Sequence, residues 1–156
     1  FVISVMSGEQ DRIDITQAAA QQLRETGINC TVEIPAQMDW GGQMACLIGW
    51  GSPFDADDHT YKVFGTDKGA NYSSYSNEKV DEYLSLARQS DDPEVRKEYY
   101  GKFQEELAED PAYAFICYID ANYVADSGIQ GISKDTVLGH HGVGIFWNIQ
   151  DWTMTE

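Results

Sequence analysis

Basic residues are scarce. Ten lysines and arginines stand against 26 aspartates and glutamates, a net charge of −16 over 156 residues. Such a surface repels phosphate backbones, which argues against a nucleic-acid partner. It suits a solvated exterior or, more weakly, the attraction of cationic ligands. Cysteine is scarce too. Cys30, Cys46 and Cys117 have no C-x-x-C or metal-ligand spacing, and each lies in an apolar run, so buried packing is the expectation. Their odd number gives no disulfide framework. No apolar run is long enough to span a membrane. G-x-S-x-G, the phosphate loop and H-E-x-x-H are all missing, and nothing calls for a cofactor. There is no internal repeat and no low-complexity stretch. No initiator methionine or signal peptide precedes Phe1, so the start reads as a cut in a longer protein.

What is there is an alternation of strand-like and helix-like segments. Phe1–Met6 reads as a buried strand closed by Ser7-Gly8, and Asp11 to Thr26 reads as a helix. Ile15, Ala19 and Leu23 fall on one face of that helix, and Gly27 supplies a left-handed stop. Ile28, Cys30, Val32 and Ile34 alternate with polar residues, as in a half-buried strand. Strand, helix, strand within one sheet predicts parallel pairing. MACLIGW reads as a third strand, apolar enough to be covered on both faces.

A short helical patch near His59 to Phe64 follows, then the loop GTDKGANYSSYSN. Asn77 or Ser76 caps a helix with Val80, Tyr83, Leu84 and Ala87 on its apolar side. Asp92-Pro93-Glu94 opens another, whose stripe is Val95, Tyr99, Phe103 and Leu107 and whose stop is Asp110-Pro111. YAFICYI reads as a strand, and GIFWNIQDW is a last apolar piece. The whole predicts an α/β layer structure.

The stretch GWGSPFDADDH, residues 49–59, concentrates the candidate chemistry. Asp55, Asp57, Asp58 and His59 resemble the opening of a calcium loop, yet His59 and Thr60 stand where that loop needs an oxygen ligand and a glycine. A metal-dependent hydrolase using the Asp55–His59 cluster, or a non-catalytic interaction domain, are the alternatives to a binding role. Neighbouring acids after a strand are more often turn formers and helix caps. His140 and His141 are adjacent, and adjacent side chains diverge in a strand, so no metal site is assigned to them. The aromatics carry more. Trp40, Trp50, Phe54, Tyr61, Tyr72 and Tyr75 cluster in loops at the carboxyl ends of predicted strands, where open α/β sheets bind ligands. Some will be core. Trp50 sits where an apolar strand gives way to a polar loop, which suits a pocket wall.

In order and spacing, AAAQQLRETGINCTVE, GWGSPFD, NYSSYSNEKVDEYLSLAR, DDPEVRKEYYGKFQEELAEDPAYAFICY and the Gly131-Ile132 segment resemble the C-terminal lobe of the family 5 extracellular solute-binding proteins. These are the oligopeptide, dipeptide and nickel receptors of ABC importers. The resemblance covers nearly the whole chain. It implies a type II periplasmic-binding-protein fold, with a central sheet flanked by helices, in a two-lobed clamp that closes on its ligand. The chain would then divide into an α/β lobe over 1–145 and a tail over 146–156 that returns toward a missing N-terminal lobe.

The resemblance also implies a role without catalysis: capture of an extracytoplasmic solute, in the periplasm or as a cell-surface lipoprotein, for a membrane permease. The tryptophan matching Trp50 lines the family's cleft, and Gly51, Ser52, Phe54, Asp55 and Tyr72 complete the candidate ligand set. In the peptide-binding branches the third residue after that tryptophan is typically an aspartate that pairs with the peptide's amino terminus. Here it is Pro53, and WGSPFD resembles the nickel-type branch, where an aromatic follows the proline. Nickel receptors also use a histidine in the later loop, and GTDKGAN has none. The ligand class stays open between peptides and metal–chelate complexes. The chain alone is expected to fold and to bind weakly. Phe146, Trp147, Ile149 and Trp152 would be left exposed in a tail that is disordered or ordered by self-association.

Overall fold

The computed structural model describes residues 1–51, 55–120, 122–133 and 144–155. The chain forms two compact units, Phe1–Gly49 and Trp50–Glu156.

The first unit is a parallel α/β layer. Strands β1 (Val2–Ser4), β2 (Thr31–Glu33) and β3 (Ala45–Cys46) lie in the order β2-β1-β3, with both neighbours parallel to β1. Parallel neighbours need a crossover, and α1 (Gln10–Glu25) supplies the one between β1 and β2. Gly27, at φ +88°, ends α1: its N–H donates to the Arg24 carbonyl, and the Ile28 N–H reaches back to Leu23. This pair of bonds satisfies two carbonyls that a helix end leaves free. The fully buried row of α1 is Ile13, Thr16 and Ala20, one position round from Ile15, Ala19 and Leu23, which are half-buried or less covered. Val5 and Cys30 complete this small core.

The strands are shorter than the hydrophobic pattern predicts. Ile28 and Ile34 flank β2 and are exposed, and Met44, at the edge of β3, is 74% exposed, so MACLIGW is not covered on both faces within its unit. Of the cysteines, Cys30 is buried and Cys46 half-buried, whereas Cys117 is exposed, and all three are free thiols.

The second unit is helical. It contains α2 (Asp57–Phe64), α3 (Glu78–Arg88) and α4 (Pro93–Glu109), with α3 and α4 forming its main packing contact. Asn77 caps α3, its side-chain oxygen accepting from the N–H groups of Lys79 (3.0 Å) and Val80 (3.3 Å). Asp92 caps α4 by accepting from the Glu94 N–H at 2.9 Å. Val80, Leu84 and Ala87 of α3 meet Tyr100, Phe103 and Leu107 of α4, and Phe64 of α2 packs on this cluster with its ring 5.3 Å from Phe103. The buried stripe of α4 thus uses Tyr100, at i, i+3 and i+7 with Phe103 and Leu107. Tyr99 is only partly buried.

YAFICYI, residues 113–119, forms no strand. Its Phe115, Ile116, Tyr118 and Ile119 are exposed. An apolar run becomes a strand only beside a backbone that can pair with it, and no described segment lies in register with this one. Farther on, β4 (Ile129–Gln130) pairs antiparallel with β5 (Thr153–Met154). A 3-10 segment over Gly144–Asp151 bridges toward β5, kinked at the buried Asn148. Asn148 donates to the Gly131 carbonyl (2.8 Å) and accepts from the Trp152 indole (3.1 Å). The tail is therefore ordered on its own chain, with Trp152 half-buried while Phe146, Trp147 and Ile149 remain exposed.

Candidate functional site

Trp50 lies four residues beyond the end of β3, and 38% of it is exposed. Its ring stacks on Tyr72 at 6.1 Å with 11° between planes, and tilts against His59 at 5.6 Å and 47°. Three aromatic rings from separate stretches, two loop residues and one on α2, thus form a single surface. Of the predicted ligand residues, Trp50 and Tyr72 are brought together. Ser52 and Phe54 lie outside the described residues, and Gly51 follows Trp50 in the loop.

The loop carrying Tyr72 is held by Asn71. Its amide nitrogen donates to the carbonyls of Gly65 (3.0 Å) and Tyr75 (2.7 Å), and its oxygen accepts from the Tyr75 N–H (3.0 Å) and the Ser73 hydroxyl (3.1 Å). Both donors and both acceptor positions of the amide are therefore used. Thr66 anchors the loop's start: its N–H donates to Asp81 of α3 at 2.8 Å. Gly65 is required where it stands, because a Cβ there would meet the Tyr61 carbonyl at 2.7 Å. Asn71→Ala is expected to destabilise the second unit by about 1–2 kcal/mol, since water recovers only part of what the amide satisfies. It should also lower the order of the Tyr72 loop, read as faster amide exchange at Tyr72 to Tyr75. Unchanged exchange there would count against this role.

The acidic cluster is engaged by cations of the same unit. The Asp55 carboxylate receives the Arg96 guanidinium at 2.6 and 2.8 Å and also accepts from the Asp57 N–H at 2.8 Å. Asp55, two residues ahead of α2, thus does the capping that the sequence suggests for Asp57 to His59. Asp57 pairs with Arg88 (3.1 Å) and accepts from the Tyr100 hydroxyl (3.2 Å). Burial and the Asp57 charge push the Tyr100 phenol up to about 12. Arg88 also lies over the Tyr61 ring, 3.9 Å from its centroid. Asp58 faces Lys62 at 3.5 Å. The three carboxylates are turned to three different cations, and among the described residues no group of three His, Cys, Asp or Glu could hold a metal ion. This arrangement does not favour the hydrolase alternative.

The hydrogen bond from the Asp57 N–H, then Arg96, holds the Asp55 carboxyl below its ordinary range. A carboxyl lowered in the folded state adds stability above its unfolded pKa and loses it as pH falls through the folded value. Wild type should therefore lose stability in acid, below the ordinary carboxylate range, more steeply than Asp55→Asn. Parallel urea titrations across that range would check it, and equal slopes would deny Asp55 the role.

Two features escaped the sequence reading. Asn71 looks like one more polar residue in a glycine- and serine-rich loop. His59 reads as part of a helix start, and its packing against Trp50 depends on how α2 is placed.

No protein-family model matches the chain. A curated relative, Protein XP55 of Streptomyces lividans, is 31% identical over 140 residues, which cover 85% of this chain and 26% of that protein. Among solved structures, NikZ from Campylobacter jejuni in complex with Ni(L-His) matches 98% of this chain and 33% of its own, at TM-score 0.77 and 34% identity. The oligopeptide-binding protein AppA from Bacillus subtilis, in complex with a nonapeptide, matches 100% of this chain and 32% of its own, at TM-score 0.72 and 21% identity. CtaP of Listeria monocytogenes, an ABC transporter substrate-binding protein, shares the fold over 70% of this chain and 24% of its own, at TM-score 0.62 and 21% identity. The chain spans about a quarter to a third of the length of each protein it matches.

Proposed function

The chain is part of the C-terminal lobe of a family 5 extracellular solute-binding protein, and from that premise we propose that it serves as one jaw of a two-lobed receptor for an ABC importer. The receptor works outside the cytoplasm, free in the periplasm or held at the cell surface as a lipoprotein. It captures a solute between this lobe and an N-terminal one and passes it to the membrane permease without altering it. The observation that carries this reading is the likeness to NikZ, 34% identical over 98% of the chain. The Trp50–Tyr72 surface supports it from the structure, because stacked aromatic faces at a loop offer contact area to planar or apolar ligand parts.

The ligand belongs to the peptide or metal–chelate class. Pro53, in the place of the aspartate that would pair with a peptide amino terminus, favours the chelate. In a clamp the second lobe completes the pocket, so this chain by itself supplies one wall and binds weakly. The test is thermal melting of the full-length protein with a panel of peptides and of nickel–histidine complexes. A ligand-dependent rise in melting temperature with either class is expected. No rise with any member overturns the reading.

A further inference from the structure

The aromatic surface contains one side chain whose polar atoms the fold has not used. The Nδ1 atom of His59 is covered and has no hydrogen-bond partner. Its nearest carboxylate oxygen, on Asp58, is 3.9 Å away, beyond hydrogen-bonding reach. Asp55, Asp57 and Asp58 are each turned toward Arg96, Arg88 or Lys62, so His59 is the member of the 55–59 stretch that its surroundings leave uncommitted. Its ring lies 5.6 Å from that of Trp50, and its side chain keeps 21% of its surface exposed.

We propose that His59 coordinates the metal of a metal–amino-acid chelate whose planar part rests on Trp50 and Tyr72. This rests on the solute-binding reading and narrows its ligand class. The negative field of Asp58 favours the proton on Nδ1, the covered nitrogen, and leaves the lone pair on Nε2 for the ligand. In many metal-binding histidines a carboxylate sets the tautomer in this way. A chelate with one amino acid leaves positions on a divalent metal filled by water. Nε2 donates its electron pair to the metal, one metal–water bond breaks, and the water leaves. No electron is transferred, and a ring that starts protonated releases that proton to solvent. Imidazole is a good donor for nickel and copper, so a single protein ligand adds to an affinity that the aromatic contacts begin.

The probe is nickel(II) with one equivalent of L-histidine, added to the full-length protein and its His59→Gln variant. Calorimetry gives the affinity, and the visible absorption of nickel gives the donor set, since a nitrogen replacing a water moves the bands to shorter wavelength. The proposal expects wild type to bind with that spectral shift, and His59→Gln to bind at least about tenfold more weakly without it. Should the variant fold poorly, the wild-type spectrum alone decides: binding with unshifted bands overturns the proposal. Equal affinity and equal spectra in both proteins overturn it as well, while the receptor reading stands. A wild type that binds peptides but no chelate also refutes it and leaves that reading intact. A wild type that binds neither refutes both.

Discussion

Leu84→Ala lowers the unfolding free energy by about 3–4 kcal/mol, the largest stability loss expected from a single substitution in this chain. Leu84 is fully buried at the centre of the α3–α4 contact, where Val80, Ala87, Tyr100, Phe103 and Leu107 surround it. Truncation removes the transfer free energy of the lost carbons and leaves a cavity whose lining relaxes only in part. Collapse is hindered because rings and branched side chains already fill the contact. Leu86, two residues on, is only half-buried, and Leu86→Ala should cost less than half as much. Urea unfolding of both variants checks this, with a lowered midpoint and an unchanged slope for Leu84→Ala. If the two substitutions cost the same, α3 does not pack through Leu84 as the structure has it.

The same helices show why some of the fold could be read from sequence. Asn77 and Asp92 act within three residues of themselves, so capping is a local rule and both helix starts were legible. Gly27 likewise ends α1 through bonds to the turn just before it. The parallel pairing of β1 and β2 also followed, because a helix between two strands of one sheet leaves little else. Strand extent did not follow. YAFICYI has the composition of a strand, but a strand is completed by a neighbour's backbone, which no pattern along the segment supplies. The shift from Tyr99 to Tyr100 in α4 has a similar origin. Either ring fits a helical stripe, and the Asp57 carboxylate receiving the Tyr100 hydroxyl helps to place that ring inside. At the site, Trp50 could be found because the switch from apolar to polar sequence is local. The approach of His59 and Tyr72 to it is tertiary.

Trp50→Ala in the full-length protein should weaken ligand binding by roughly 30-fold, about 2 kcal/mol, while leaving the melting temperature of the ligand-free protein nearly unchanged. An aromatic ring of this size contacts roughly 150–250 Å² when fully covered. Trp50 is 38% exposed, so part of that area is still open for a ligand to cover. At about 25 cal/mol per Å², covering roughly 80 Å² contributes about 2 kcal/mol. The ring also backs its neighbours: without it Tyr72 loses its stacking partner and His59 the face it leans on. The Asn71 bonds and the α3–α4 core do not involve Trp50, which is why folding should survive. Trp50→Phe keeps a smaller flat surface and should recover part of the loss, where Trp50→Leu, apolar but not planar, recovers less. Calorimetry on the three variants separates ring stacking from mere apolar bulk. If Trp50→Ala binds as wild type does, the ligand wall lies elsewhere in the lobe.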